Sequence, residues 1–249
     1  MAGLFVVSDV HGYLDDFRSS LRSAGLLGDD DTWTGGDARL WILGDLVDRG
    51  PDGIGVVRLV RRLEEQAPDS GRMLMGNHEI LALGYKLFPD SRFGEVWAVN
   101  GGLESDQEGL TDDDVAWLRA LPVLGRAATY LLKHSDTTAY LEWGSSVDEV
   151  NETVRDLLAD DDAEAMWEVF ATLTGRYDYA GGDGSRVAQD VLATLGGDVI
   201  VHGHSVIGSL TNQASEEVEG PIAYADGFVV DIDGGRYDGG PLLLVELND

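Results

Sequence analysis

Cysteine is absent from this 249-residue chain. Its absence excludes disulfide bonds, thiolate metal ligands and any catalysis that relies on a cysteine nucleophile. Long hydrophobic runs are also missing, because no stretch approaches the ~20 apolar residues that a membrane helix needs. The first polar motif begins at Ser8, which leaves no room for a cleavable leader. We therefore expect a cytoplasmic protein that has no membrane partner.

Basic residues are scarce: 17 lysines and arginines stand against 46 acidic residues, giving a formal net charge of -29. Lys86 and Lys133 are the only lysines. Binding to nucleic acid needs a basic surface, so this charge predicts that nucleic acid is not a partner. Two explanations of the acidity stay open. It either serves solubility in an arginine-rich proteome, or adapts the chain to high salt, where screening relieves self-repulsion.

The N-terminal third alternates short apolar strands with amphipathic helices. The predicted strands cover residues 4–8, 40–43 and 72–75. Between them, apolar residues recur at helical spacing, as Leu14, Phe17 and Leu21 do. This strand–helix alternation predicts an α/β fold with a largely parallel inner sheet.

The rest of the chain mixes helices with further strands. We predict mostly helical segments at about 80–125 and 148–175, and strands at 130–133 and 199–201. Residues 222–247 read as antiparallel strands that turn at the glycine pairs 234–235 and 239–240. A length of 249 residues suits one domain with inserted segments.

Histidine is used sparingly, and each copy lies near the end of a predicted strand. The chain has five: His11, His78, His134, His202 and His204. Oxygen-bearing side chains follow the first three predicted strands, namely Asp9, Asp45 and Asn77. Each polar residue alone could be a turn former. Together they predict one site, because ligands of open α/β sheets bind beyond the carboxyl ends of the strands.

These residues fall in motifs with a recognisable order. The chain reads SDVHG at 8–12, GDLVDRG at 44–50, GNHE at 76–79, LLKHSD at 131–136 and VHGHS at 201–205. This order resembles the calcineurin-like metallophosphoesterases, and within them the phosphoprotein phosphatase branch. Two positions depart from the pattern. Ser8 replaces a glycine, and His134 is followed by Ser135 and Asp136 where the eukaryotic members have two glycines, which points towards the bacterial members.

The resemblance implies a fold and a metal centre. The fold is a four-layer α/β/β/α metallophosphatase sandwich with a helical insertion, formed by residues 1–249 as a single domain. Two divalent ions are implied, Mn²⁺ first, with Fe or Zn²⁺ open. Asp9 and His11 would bind one ion, Asp45 would bridge both, and Asn77, His134 and His204 would bind the other. His202 would lie behind the ligands or replace His204 as one.

The resemblance also implies catalytic roles. His78 resembles the family's general acid, held by Asp48. Arg49 and Asn77 would contact the substrate phosphate, with Arg49 stabilising its developing charge. A second arginine contact would come from Arg176 or Arg186, of which we expect Arg176.

The implied activity is hydrolysis of phosphomonoesters by a metal-bridging hydroxide. The substrate would be a phosphorylated protein, at phosphoserine or phosphothreonine, or a small phosphoester. Symmetrical diadenosine tetraphosphate hydrolysis is the alternative, because bacterial hydrolases of that kind share the motifs. A non-catalytic scaffold of the same fold is a third reading, although no ligand position is lost. The sequence does not specify the oligomeric state.

Overall fold

Two β-sheets form the centre of the protein in the structure, a computed structural model that describes residues 3–248. The strand order is β3-β2-β1-β9 in the first sheet and β4-β5-β6-β8-β7 in the second. The strands are β1 (Leu4–Val7), β2 (Arg39–Ile42), β3 (Gly71–Met73), β4 (Leu124–Ala127), β5 (Tyr130–Lys133), β6 (Val199–His202), β7 (Ile222–Tyr224), β8 (Val229–Asp231) and β9 (Leu244–Leu247).

Helices connect and cover these strands. They are α1 (Leu14–Ser23), α2 (Gly53–Gln66), α3 (Asn77–Leu87), α4 (Arg92–Val99), α5 (Glu104–Gly109), α6 (Asp112–Arg119), α7 (Val147–Ala159), α8 (Ala163–Leu173), α9 (Gly184–Leu195) and α10 (Ile207–Thr211). In α1 the predicted stripe of Leu14, Phe17 and Leu21 is buried. The helix stops before Gly25, whose φ of 72° suits glycine.

The two sheets pack face to face. Side chains from one face of each sheet, such as Leu4, Trp41, Leu132 and Val201, form a buried cluster between them. The alternate residues of the same strands, such as Leu40 and Leu131, belong to the larger core that the helices complete. Apolar burial on both faces explains why the inner strands are mostly apolar, as in LFVV of β1 and VIVH of β6. The predicted four-layer α/β/β/α fold is confirmed.

The inner strands run parallel, as the strand–helix alternation predicts. β1 pairs with β2 and β2 with β3 in parallel, while β5, β6 and β8 are parallel neighbours in the second sheet. Their carboxyl ends therefore lie along one edge of each sheet. This arrangement brings the loops after β1, β2, β3, β5 and β6 to one side of the molecule.

The prediction for residues 222–247 was wrong in its pairing. β7 and β8 are antiparallel neighbours, but β9 leaves them and pairs with β1 in the other sheet. The glycine pairs at 234–235 and 239–240 lie in the connection between the two sheets and close no hairpin. Sequence reasoning also missed β4 and α9. The helices predicted at about 80–125 and 148–175 correspond to α3–α6 and α7–α8.

Within residues 3–248, no helix combines the length and the apolar character needed to cross a membrane. Organisation as a single domain stays a prediction.

Candidate active site

The polar residues predicted from the strand ends meet in one buried cluster. All six predicted ligands are at most 3% exposed: Asp9, His11, Asp45, Asn77, His134 and His204. Each follows a strand: His134 comes directly after β5, and Asn77 begins α3 after β3. Convergence of the parallel strand ends therefore creates the site.

Asp45 lies at the centre of this cluster. One group of candidate metal ligands, with ligand atoms within 4.8 Å of one another, contains Asp9, Asp45, His134 and His204. A second group contains His11, Asp45 and His78. The two carboxylate oxygens of Asp45 face different histidines, with Oδ2 3.6 Å from His11 Nε2 and Oδ1 3.5 Å from His134 Nε2. This geometry suits a carboxylate that bridges two ions.

Asn77 joins the first group through its amide. Its Oδ1 lies 2.9 Å from His134 Nε2, so both atoms point into the same space. Gly44 and Gly76 allow this close packing. A Cβ atom on Gly44 would lie 2.6 Å from the Cα of Gly76, so the turns that carry Asp45 and Asn77 touch only because both residues are glycine.

Backbone carbonyl groups fix the orientation of three imidazoles. His11 Nδ1 lies 3.0 Å from Val47 O, His134 Nδ1 lies 2.8 Å from Leu43 O, and His204 Nε2 lies 3.2 Å from Thr174 O. In each case the bonded nitrogen carries the proton, and the other nitrogen keeps its lone pair for the site.

The donor set fits divalent cations. His11 Nε2 is buried and has no hydrogen-bond partner in the protein, although buried polar atoms are normally paired. Burial lowers the pKa of His11 and His204 well below its ordinary value, so both rings are neutral, as a metal ligand must be. Carboxylate, imidazole and amide oxygen ligands suit Mn²⁺, Fe or Zn²⁺.

The backbone is strained at this site. Twelve residues other than glycine have positive φ within residues 3–248, and six of them are predicted site residues: Asp9, His11, Asp45, Asp48, Arg49 and His204. Such conformations cost about 1 kcal/mol or more each and persist only when the surrounding structure holds them. Their concentration here indicates that the geometry serves function.

His78 and Asp48 form a buried pair beside the ligands. His78 Nδ1 donates to Asp48 Oδ2 over 2.7 Å, and Trp97 Nε1 donates to Asp48 Oδ1 over 3.1 Å. Arg49 Nη2 lies 3.0 Å from His78 Nε2. A guanidinium only donates hydrogen bonds, so Nε2 is unprotonated in this arrangement. Burial raises the pKa of Asp48 to about 7, although the bond from Trp97 opposes the shift.

The two arginines proposed as a second phosphate contact lie in different surroundings. Arg176 Nη1 donates to His204 O over 2.5 Å, at the edge of the ligand cluster. Arg186 lies on the exposed side of α9 and pairs with Asp190 at 3.0 Å. His202 uses both ring nitrogens elsewhere: Nδ1 lies 2.8 Å from Gly203 O and Nε2 lies 2.7 Å from Tyr224 Oη.

Sequence reasoning missed other residues that contact the site. Glu79, fully buried, accepts three backbone bonds from Asp45 N, Leu46 N and Gly76 N at 2.7–2.8 Å. Its place in GNHE was a signal that the prediction left unused. The Tyr237 ring lies 3.8 Å from the Arg49 guanidinium carbon and packs edge-on against His11 at 5.4 Å. Nothing in the local sequence around Tyr237 indicates these contacts.

Ser8, which departs from the family pattern, donates a hydrogen bond to Asp9 Oδ2. The serine therefore helps to orient the carboxylate beside it.

The chain is similar to known proteins in sequence and in fold. The calcineurin-like phosphoesterase family matches residues 4–208. Shewanella-like protein phosphatase 2 of Arabidopsis thaliana is 33% identical over 81 residues, which are 31% of this chain and 21% of that protein. A symmetrical bis(5'-nucleosyl)-tetraphosphatase of Aromatoleum aromaticum is 28% identical over 132 residues, 53% of this chain and 43% of that protein. The matches thus span less than half of each curated relative.

The fold also matches a solved structure. A cold-active protein-tyrosine phosphatase of a psychrophilic Shewanella species superimposes with a TM-score of 0.74 at 21% identity, covering 100% of this chain and 76% of that one.

Proposed function

The chain belongs to the calcineurin-like phosphoesterase family, and on that premise we propose that it is a binuclear metal-dependent phosphomonoesterase. The observation that carries the proposal is Asp45, whose two carboxylate oxygens face His11 and His134 separately. The proposed ligands are Asp9, His11, Asp45, Asn77, His134 and His204. The complete ligand set argues against a non-catalytic scaffold.

The metals supply one part of the chemistry. When bound, two divalent cations, Mn²⁺ before Fe or Zn²⁺, would lower the pKa of a coordinated water to about 7 and neutralise phosphoryl charge. The protein supplies the other part, which is to bind the phosphate, orient it and protonate the leaving oxygen.

Arg49 and His78 would act in sequence. In the structure, Arg49 Nη2 donates a hydrogen bond to His78 Nε2. Burial, followed by the charge of Arg49, lowers the pKa of His78 well below its ordinary value. When a phosphate draws the guanidinium away, one of these causes is removed and Nε2 becomes free to take up a proton from solvent. Asp48 on Nδ1 then stabilises the charged ring, and His78 can donate its Nε2 proton to the departing oxygen. Arg49 would meanwhile bind phosphate oxygens and stabilise their charge. Arg176, beside His204, would provide a second contact.

Charge favours a monoester over the tetraphosphate that the bacterial relatives' name specifies. Arg49 and Arg176 each hydrogen-bond to a proposed site residue, and the chain as a whole carries a formal charge of -29. The phosphate groups of a tetraphosphate that lie beyond the two metal ions would depend on these two arginines, and the acidic surface repels them. Diadenosine tetraphosphate hydrolysis is therefore the second candidate.

Exposed apolar groups beside the site favour an aromatic or apolar leaving group. Within residues 3–248, three large hydrophobic side chains are exposed: Val99 by 87%, Tyr177 by 43% and Tyr237 by 38%. Tyr237 contacts a proposed phosphate-binding arginine directly, and Val99 and Tyr177 are chain neighbours of residues at the site. Val99 precedes Asn100, whose carbonyl accepts a bond from Arg49 Nε. Tyr177 follows Arg176, and Tyr237 stacks on Arg49. We call these three residues the apolar rim; an aromatic ring such as that of Tyr237, which lies at the site, would pack against the ring of phosphotyrosine, which phosphoserine lacks.

An activity panel tests this proposal. The purified protein is stripped of metal, reloaded with Mn²⁺ and assayed on para-nitrophenyl phosphate, phosphotyrosine and phosphoserine peptides, and diadenosine tetraphosphate. The proposal expects turnover of the monoesters, abolished by a chelator and restored by Mn²⁺, with phosphotyrosine above phosphoserine. Faster turnover of diadenosine tetraphosphate would establish the second candidate, and no turnover of any substrate would contradict an enzymatic role.

A further inference from the structure

The departure from the family pattern after His134 has a structural counterpart. Asp136 is fully buried, where a charged residue needs strong partners. Its Oδ1 accepts a hydrogen bond from Ser205 Oγ over 2.6 Å, and its Oδ2 accepts one from Tyr177 N over 2.8 Å. One carboxylate thus joins the residue after His204 to the residue after Arg176.

A second carboxylate, that of Asp178, joins the same two parts of the chain in the opposite direction. Asp178 Oδ2 accepts bonds from Thr138 N at 2.6 Å and from the hydroxyls of Thr137 and Thr138, both at 3.0 Å. Two carboxylates therefore link the segment after β5 to the segment after α8. Asp136 belongs to the first segment and Asp178 to the second. Gly175 permits the close approach, because a Cβ there would lie 2.8 Å from Thr137 Cβ.

The segment after α8 also contacts His204 directly. Thr174 O accepts the bond from His204 Nε2 at 3.2 Å, and Arg176 Nη1 donates to His204 O at 2.5 Å. Tyr177 has a φ of 68°, an unfavourable conformation that its bond to Asp136 helps to hold. A shift of residues 174–177 would therefore move Arg176 and turn the His204 ring together.

We propose that Asp136 and Asp178 form a carboxylate clasp that positions His204 for metal binding and Arg176 for phosphate binding. The inference rests on the proposed function and adds to it, because the clasp couples a metal ligand to a phosphate contact. Asp136 acts as a positioning residue, since its two carboxylate oxygens bond to Ser205 and Tyr177 and it is not one of the proposed ligands. Outer partners of metal ligands typically affect metal affinity or activity by about 10- to 100-fold.

Three variants test the clasp. Asp136→Ala removes both bonds and should weaken Mn²⁺ binding by about 10- to 100-fold, and it should raise KM for para-nitrophenyl phosphate. Asp136→Asn should restore both properties to within about threefold of wild type. Its amide oxygen can accept from Tyr177 N, and its amide N–H can donate to Ser205 Oγ once that hydroxyl turns. Ser205→Ala removes one of the two bonds and should weaken Mn²⁺ binding by about two- to tenfold.

The matched control is Asp162→Ala. Asp162 also accepts two backbone bonds, from Glu164 N and Ala165 N, but at the end of α8 opposite Thr174. The Asp162→Ala variant should have a lower melting temperature than wild type but the same Mn²⁺ affinity and KM.

Mn²⁺ affinity is measured by calorimetry on metal-stripped protein, and KM by steady-state kinetics. Unchanged affinity and KM in Asp136→Ala would overturn the clasp. If Asp136→Ala does not fold, unchanged values in Ser205→Ala overturn it equally. Failure of the proposed function is a separate result, because wild-type protein would then bind Mn²⁺ without hydrolysing a phosphomonoester, and the affinity comparison would still decide on the clasp.

Discussion

Replacing Trp97 with phenylalanine should shift the pH dependence of catalysis through Asp48. Trp97 Nε1 donates to Asp48 Oδ1 over 3.1 Å, within a buried environment that raises the pKa of this carboxyl to about 7. Phenylalanine keeps an aromatic ring against Tyr85, which stacks on Trp97 at 4.3 Å, but removes the donor. The carboxylate then loses a bond that stabilises its charged form.

The size of the shift follows from the lost bond. A hydrogen bond to a charged group contributes about 1.5–3 kcal/mol, and one pKa unit corresponds to about 1.4 kcal/mol. Arg49 still stabilises the anion, and water can replace part of the lost bond. We therefore expect the pKa of Asp48 to rise by about one unit.

The direction in which the pH profile moves follows from the role of Asp48. Asp48 must be ionised to hold His78 in its charged form, so activity falls as pH drops through the Asp48 pKa. A higher pKa moves this acidic limb towards higher pH by about one unit. The assay is kcat/KM for para-nitrophenyl phosphate across the pH range.

Trp117→Phe provides a matched control. Trp117 Nε1 donates to Glu64 Oε2 over 2.9 Å, which is the same kind of bond away from the proposed catalytic residues. This variant should keep the wild-type pH profile. An unmoved acidic limb in Trp97→Phe, or an equal shift in both variants, would refute the reasoning.

Three further substitutions test separate parts of the site. His78→Asn should keep its metals and lose about 10²–10⁴-fold in kcat on an alkyl phosphate, but less on para-nitrophenyl phosphate; an equal loss on both substrates would mean that His78 does not protonate the leaving group. Glu79→Ala should lower Mn²⁺ affinity by about tenfold or more, measured by calorimetry, because it releases the turns that carry Asp45 and Asn77; the exposed Glu149→Ala should not, and equal affinities in both would count against this role. Tyr177→Ala should reduce kcat/KM for phosphotyrosine peptide more than for phosphoserine peptide, and a uniform reduction would argue against the apolar rim.

The inner strands and the helix positions could be predicted because their signals are local. Residues 4–7 are a continuous apolar run, and Leu14, Phe17 and Leu21 repeat at helical spacing. The C-terminal pairing could not be predicted in the same way. Glycine pairs at 234–235 and 239–240 are compatible with hairpin turns, but they also suit a connection between sheets. Only the packing of β9 against β1 decides between them.

The proposed ligands could be found because short motifs place them at strand ends. The residues that hold them in position are harder to find, because their partners are distant in the chain. Asp136 contacts Ser205 across 69 residues and Tyr177 across 41. No local pattern distinguishes such a buried carboxylate from a turn former, and only the fold brings the three segments together.

The most direct test of a binuclear phosphomonoesterase is metal stoichiometry in Asp45→Asn beside wild type. Both proteins are stripped, reloaded with Mn²⁺, desalted and subjected to elemental analysis, and para-nitrophenyl phosphate turnover is measured on the same samples. Because Asp45 presents one oxygen to His11 and the other to His134, its replacement should disturb both ions. We predict about two equivalents of Mn²⁺ and full turnover in wild type, and reduced metal with almost no turnover in Asp45→Asn. Two full equivalents with normal turnover in the variant would contradict the account, as would wild-type turnover that persists after complete removal of metal.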